Sequence, residues 1–242
     1  MLSVRGLHKS FGDKAVLRGI DLDIAPGTIT CAVGPSGTGK TTLLRALGLL
    51  DFPDSGSITL DQVQYDFPRD PKTPITPSPW PRMTTVFQSL FLWPHLTLRE
   101  NIMLPARNCN PDAERDIEGL IRLFEMAGFI DHFPNQASIG QRQRVALARA
   151  LILNPSYILL DEITSALDVE QTAKILTKLG HLKERNIGVF LITHQIGFAR
   201  RMADQVVFMD GGVIAEKGSA EILAKPQTAR LQQFLSMVEM VY

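Results

Sequence analysis

The sequence predicts an α/β fold in which buried parallel strands deliver polar residues at their ends and a group of helices interrupts the core. Three observations carry this. Residues 28–33 read as a buried strand, Gly34-Pro35-Ser36-Gly37-Thr38-Gly39-Lys40-Thr41 as a glycine loop, and residues 42–47 as a helix with an apolar face. Residues 157–160 form a continuous apolar run, as a strand buried on both faces shows, and it ends in Asp161-Glu162. Residues 189–193 are a similar run that ends at His194.

The glycine loop fits G-x-x-x-x-G-K-[ST] in letters and in flanks. Its glycines let backbone N–H groups of residue 34 and residues 36–42, Thr42 included, turn inward on phosphate oxygens, and the next helix adds its positive N-terminal end. Lys40 then reaches the β- and γ-phosphates, and the Thr41 hydroxyl is placed for Mg²⁺. This loop reads as a nucleotide site.

Earlier in the chain, residues 2–7 and 16–24 read as strands, the second carrying Leu17, Ile20, Leu22 and Ile24. Phe11 lies in the polar turn between them. By pattern alone it is a core residue, and stacking on a purine is its other use. Pro53-Asp54-Ser55-Gly56 is a turn before a short strand over 57–60. The prolines at 68, 71, 74, 77, 79 and 81 exclude a helix or central strand, so residues 67–81 read as an exposed loop.

Residues 83–87 are strand-like and end at Gln88, where α/β proteins place ligand contacts. Phe91-Leu92-Trp93-Pro94 is apolar for a loop, either tucked into the core or a surface for another protein. Thr97 to Glu100 has capping-box spacing and starts a helix. A second helix is expected over 112–127, with Gly128 to stop it. Ala137-Ser138-Ile139-Gly140-Gln141 then opens a third helix, with Val145, Ala148, Leu151 and Ile152 on one side, that ends at Asn154-Pro155. Its Ser-x-Gly turn at a helix N-terminus is a second potential phosphate site.

Beside a phosphate loop, the apolar strand ending in two acids reads as the metal side of an ATPase. Asp161 holds the metal through water, and Glu162 orients or deprotonates the attacking water. Ser165-Ala166-Leu167-Asp168 leads into another helix with Val169, Ala173, Leu176 and Leu179 on one side.

Lys+Arg and Asp+Glu are both 25, so charge gives no footprint for a nucleic-acid partner. Cys31 and Cys109 lie far apart in unlike settings, which argues against a disulfide and fits a reducing compartment. No apolar run approaches the ~20 residues that span a bilayer, so any membrane role comes through a partner.

The order of phosphate loop, Gln88, Ser-Ile-Gly-Gln-Arg-Gln-Arg, Ile-Leu-Leu-Asp-Glu, Ser-Ala-Leu-Asp and His194 resembles the ATPase subunit of an ABC transporter, over nearly the whole chain. The resemblance implies a P-loop NTPase core with a parallel-sheet RecA-like subdomain, an antiparallel β subdomain and an inserted α-helical subdomain. Residues 1–242 form one ATPase domain, with 1–88 and 156–242 the nucleotide-binding core and 89–155 the helical subdomain. ATP and Mg²⁺ are the implied cofactors. Phe11 stacks on adenine beside Val16, Gln88 is the Q-loop glutamine and a metal contact, Asp168 the D-loop aspartate, and His194 the switch histidine. Ser138, Gly140 and Gln141 contact ATP held by a second ATPase subunit. Lys40, Glu162, His194 and Gln88 carry hydrolysis.

Residues 86–88 and 91–97, with 53–58, resemble the branch that imports polar amino acids. Its partners are membrane permease chains and an extracytoplasmic solute-binding protein, and its place is the cytoplasmic face of the inner membrane. Asp204, Asp210-Gly211-Gly212 and Glu216-Lys217-Gly218 fit that branch's C-terminal end. One departure stands out: Ile139 occupies a glycine position of the signature. Either the turn is strained there, or it takes a conformation open to isoleucine. Small-molecule kinase, non-transport ABC ATPase and catalytically weak scaffold are the competing readings; phosphate release against acceptor phosphorylation separates the first.

Overall fold

The computed structural model describes residues 1–70, 72–164 and 169–241. Its centre is a set of strands with no polar face. β3 (Ile29–Val33), β7 (Tyr157–Asp161) and β8 (Gly188–Ile192) are buried at every position. They pair in parallel, β3 with β8 and β8 with β7. β6 (Met83–Val86) adds in parallel to β7, and β9 (Gln205–Asp210) adds in parallel to β3. An antiparallel edge strand, β10 (Val213–Gly218), completes the order β10-β9-β3-β8-β7-β6.

Alternation along these strands divides the interior in two. Ile29, Cys31, Val33, Ile158, Leu160, Val189 and Leu191 enter one core with the helices α2 (Leu98–Ala106), α3 (Ala113–Leu123), α4 (Ile139–Leu151) and α5 (Val169–Glu184). Ala32, Tyr157, Leu159, Phe190 and Ile192 enter the other. That second core is closed by α1 (Lys40–Leu47) and by an antiparallel sheet, β2-β1-β4-β5. Its strands are β1 (Leu2–Phe11), β2 (Lys14–Ile24), β4 (Ser55–Leu60) and β5 (Val63–Phe67). The buried positions of β1, Leu2, Val4 and Leu7, break step at the register shift between Val4 and Leu7.

Several expectations need correction. The helix expected over 112–127 ends at Leu123, before Gly128. Glu125 takes a left-handed conformation (φ 52°), while Met126 N donates to Ile121 O and Glu125 N to Arg122 O. That is a Schellman closure made without glycine. Arg144 donates to the carbonyls of Phe124 and Glu125, and Lys178 to that of Leu123, so cations hold the negative helix end. β5 went unforeseen because its hairpin turn has Asp61 (φ 57°) where glycine usually marks the bend. β9, β10, α6 (Ile196–Met202) and α7 (Ala229–Val241) were also unassigned. The proline-rich loop has neither helix nor strand from residue 68 to 82 among its described residues, as its missing N–H groups require.

The acids near the C-terminus turn out to be fasteners. Asp204 accepts from Ile29 N at 2.8 Å and from Lys183 Nζ at 2.7 Å, fixing the start of β3. Asp210 binds Arg230 of α7 at 2.8 Å. Glu216, 9% exposed, accepts from Gln227 N, Thr228 N and Thr228 Oγ1 at 2.6–2.9 Å. Burial alone raises its pKa, but the Thr228 hydroxyl and the two amides hold it below the ordinary value of 4.5. Its stabilisation is therefore complete above that value and lost as pH falls through the lowered one. Glu216→Ala orphans three donors, at a cost of about 2 kcal/mol. The thermal midpoint at neutral pH should fall by roughly 4–8 °C, with faster amide exchange at Gln227 and Thr228 as the local check.

Candidate functional site

Polar side chains gather where the buried strands stop. The phosphate loop leaves β3, Asp161 and Glu162 end β7, and His194 follows β8, which lies between the other two. This is the crevice outside the carboxyl ends of an open parallel sheet, where such folds bind ligands.

The loop fits its place only through glycine. A Cβ on Gly34 (φ 143°) would lie 2.2 Å from the Met209 carbonyl oxygen, and one on Gly39 (φ 98°) would lie 2.9 Å from that of Val16. The loop is thus wedged between the ends of β9 and β2. Val16, half-buried, sits behind it, with its carbonyl toward Gly39. The Thr38 hydroxyl donates to Pro35 O at 2.9 Å and tightens the curl. Ser36 and Gly37 are exposed at the rim, and Thr42 is half-buried one turn into α1.

Lys40 is 5% exposed and donates to Gly34 O and Pro35 O, both at 2.8 Å. An ammonium has three protons, so one is left for a ligand in the loop. Burial pulls its pKa down, against the opposing pull of Glu162 and Asp161. Asp161 is 6% exposed, and burial pushes its carboxyl up, helped by the charge of Glu162 and opposed by the Thr41 hydroxyl. Thr41 Oγ1 donates to Asp161 Oδ1 at 3.4 Å. A hydroxyl and a desolvated carboxylate at a loop shaped for phosphate are the oxygen donors that suit Mg²⁺ held together with phosphates.

Glu162 departs from the strand by taking a left-handed backbone (φ 48°), with its N–H donating to Ile192 O at 3.1 Å. Such a conformation costs on the order of 1–3 kcal/mol in a non-glycine residue. It turns the side chain toward the end of β8, where Glu162 Oε1 lies 2.7 Å from His194 Nε2. Lys40, Thr41, Asp161, Glu162 and His194 are therefore one cluster. Gln88 is exposed just beyond β6, the edge strand beside β7.

Phe11 is 53% exposed at the end of β1, with Lys9 Nζ 5.3 Å from its ring centroid, so its pattern-based assignment to the core is wrong. The signature turn does not join the cluster. Ser138 caps α4: its hydroxyl accepts from Gln141 N at 3.2 Å, while Gln141 Oε1 accepts from Ser138 N at 2.8 Å. Among the described residues no hydrogen bond or ion pair links residues 137–141 to the phosphate loop. Gly140 is buried in the first turn of α4. Ile139 is the first helical residue, outside the left-handed region and 37% exposed. Of the two alternatives for Ile139, the unstrained one holds, with the side chain on the surface. Asp168 lies outside the described residues, with Ser165, Ala166 and Leu167.

Sequence reasoning missed Asn101 and Arg149. Asn101 is fully buried in α2, accepting from Trp93 N at 2.7 Å and donating to Trp93 O, Leu96 O and Thr97 O. Arg149 of α4 donates to Leu90 O at 2.6 Å and to Phe91 O at 2.7 Å. The signal available was an amide in the apolar stripe of Leu98, Asn101 and Ile102. The loop they hold leaves Phe91 69% and Trp93 39% exposed. No helix among the described residues is long and apolar enough to cross a membrane.

The comparisons with known proteins agree with this geometry. A family model described as ABC transporter matches residues 17–165. The chain is 40% identical over 243 residues to the L-cystine import ATP-binding protein TcyC of Bacillus subtilis (strain 168), with 98% of each covered. It is 39% identical over 243 residues to the glutamine transport ATP-binding protein GlnQ of Escherichia coli (strain K12), covering 98% of this chain and 100% of that one. A solved dimeric ATP-binding cassette, in a post-hydrolysis state bound to ADP and Pi, is similar with a TM-score of 0.79 and 32% identity. That match covers 91% of this chain and 99% of the cassette. A phosphate loop, a desolvated acid and a glutamate–histidine pair at the ends of three adjacent parallel strands, together with these likenesses, place the chain in the ABC transporter family, as an ATP-binding, ATP-hydrolysing subunit.

Proposed function

We propose that this chain drives uptake of an amino acid or similar small polar solute by hydrolysing ATP at the Lys40–Asp161–Glu162–His194 cluster. The observation that carries the chemistry is the 2.7 Å contact between Glu162 Oε1 and His194 Nε2 beside the phosphate loop. With the proton on Nε2, His194 donates to Oε1, which leaves Oε2 free to hold a water and take its proton. Lys40 offers its remaining proton to the phosphate that leaves, where negative charge accumulates. Thr41 and Asp161 would hold Mg²⁺, which neutralises phosphate charge when bound, and Gln88 adds a contact from the edge strand. Backbone N–H groups of residue 34 and residues 36–42, in the loop that Pro35 helps to shape, cradle the phosphates, and exposed Phe11 stacks on adenine next to Val16.

The signature turn, which no hydrogen bond or ion pair among the described residues links to the loop of its own chain, supports a second subunit. Ser138 keeps its hydroxyl proton while accepting from Gln141 N, so the capping bond leaves a donor for a phosphate across the seam. Ser138, Gly140, Gln141 and Asp168 are thus assigned to ATP held by the partner copy. On this reading residues 1–88 and 156–242 are the nucleotide-binding core and residues 89–155 the helical subdomain of one ATPase domain. The names of the relatives, cystine import and glutamine transport, support amino acid uptake; membrane permease chains, an extracytoplasmic solute-binding protein and a place on the cytoplasmic face of the membrane complete the proposal.

Glu162→Gln keeps the shape and removes the base. ATP hydrolysis should fall by at least a hundredfold, while ATP affinity is retained and an ATP-bound dimer accumulates in size-exclusion chromatography. Turnover equal to that of the parent would remove Glu162 from the mechanism.

The raised pKa of Asp161 means that the fold loses stability as pH rises from its ordinary value of 3.8 through its folded one. Asp161→Asn removes that loss at neutral pH. The nucleotide-free chain should melt at a higher temperature than the parent, yet lose Mg²⁺-dependent hydrolysis. A lower midpoint would show that Asp161 serves the fold.

The exposed loop at Phe91 and Trp93 is assigned to the permease. Trp93→Ser should weaken co-purification of a membrane subunit and leave the ATP affinity of the isolated chain within about twofold. A destabilised fold with unchanged assembly would instead make Trp93 a packing residue.

A further inference from the structure

The segment after β6 is gripped from three helices. From α1, Arg45 lies 5.8 Å from the Phe87 ring centroid, and Phe87 meets Phe91 edge-on at 5.9 Å. From α2, Asn101 brackets the Trp93 backbone. From α4, Arg149 gives one arm of its guanidinium to Leu90 O and another to Phe91 O, and stands 5.2 Å from the Trp93 ring centroid. Gln88 lies between the first grip and the last.

Arg149 is an unusual choice for packing. Burial pulls its pKa down, and among the described residues no carboxylate contributes to its shift. Two carbonyls, one aromatic face and the negative end of α4, in whose last turn it sits, compensate the charge. A planar guanidinium makes both carbonyl contacts with its two arms while its flat face stays against the Trp93 ring, whereas a lysine ammonium has no flat face to stack. The far end of the same helix is the signature turn. Arg149 therefore ties two exposed features, Trp93 and Ser138, to one rigid rod.

We infer that Arg149 is the positioning residue that makes the Phe91–Trp93 surface move with α4 instead of with the sheet, so that closure of the signature on nucleotide displaces that surface. This rests on the ATPase reading above and adds the element that transmits it. The three grips form a contiguous contact chain from the phosphate-loop helix to the signature helix; energetic coupling along it is what the experiment must show.

The test uses the full chain with Trp80→Phe, which leaves Trp93 as its one tryptophan. Trp93 emission is recorded as ATP and Mg²⁺ are added, and affinity is followed separately with a fluorescent ATP analogue. In the Trp80→Phe chain the emission should shift on ATP addition. Arg149→Met should cut the amplitude of that shift at least fivefold with affinity within twofold, and Arg149→Lys should give an intermediate amplitude. If the Met variant does not fold, the Lys variant carries the test by the same measure. An undiminished shift in the variants overturns the inference, as does the lack of any shift in a Trp80→Phe chain that binds ATP. Failure of the Trp80→Phe chain to hydrolyse ATP would instead overturn the reading beneath it.

Discussion

Burial of β3, β7 and β8 on both faces is the constraint from which the site follows. Strands with no exposed face have nowhere along their length for a working polar group. Chemistry is confined to their carboxyl ends, and parallel pairing puts those ends side by side. Because β8 runs between β3 and β7, the histidine that follows it reaches the glutamate of one neighbour, while the loop of the other lies beside both. Topology alone brings residues 40, 161–162 and 194 together from three distant parts of the chain.

The cluster is electrostatically uncomfortable as it stands. Lys40 and Asp161 are both nearly buried, and burial pushes each toward its neutral form. Charges kept under that strain suit a site that binds a polyanion with a divalent cation, since each gains a partner on binding. Glu162 adds a backbone cost of its own, and its left-handed turn is what aims it at His194. In this cluster the local rules of stability are broken at Lys40, Asp161 and Glu162, side by side at the ends of the buried strands.

The surface side of the molecule is ordered by a different device. A loop of Leu90 to Trp93 has little backbone pairing of its own. Buried Asn101 and the Arg149 fork replace a ladder by satisfying its carbonyls one at a time. This leaves aromatic rings exposed on a fixed backbone, the form of a recognition surface rather than of a misfolded patch. Acids near the C-terminus act similarly, with Asp204, Asp210 and Glu216 each closing a specific backbone or guanidinium contact between distant segments.

The sequence by itself determined the phosphate loop, the apolar strands and the acids and histidine at their ends, because each is written in adjacent residues with a local physical meaning. It also showed the Thr97–Glu100 cap and, among the described residues, the absence of regular structure around the prolines. Its pattern put Phe11 in the core, where it is not, and left undecided whether Ile139 strains the signature, since both depend on neighbours distant in the chain. It hid the end of α3, where carbonyls that would normally call for glycine are held by Arg144 and Lys178 from other helices. Only the tertiary structure could decide that Asn101 and Arg149 matter. Their partners are backbone carbonyls, and a carbonyl has no letter in the sequence.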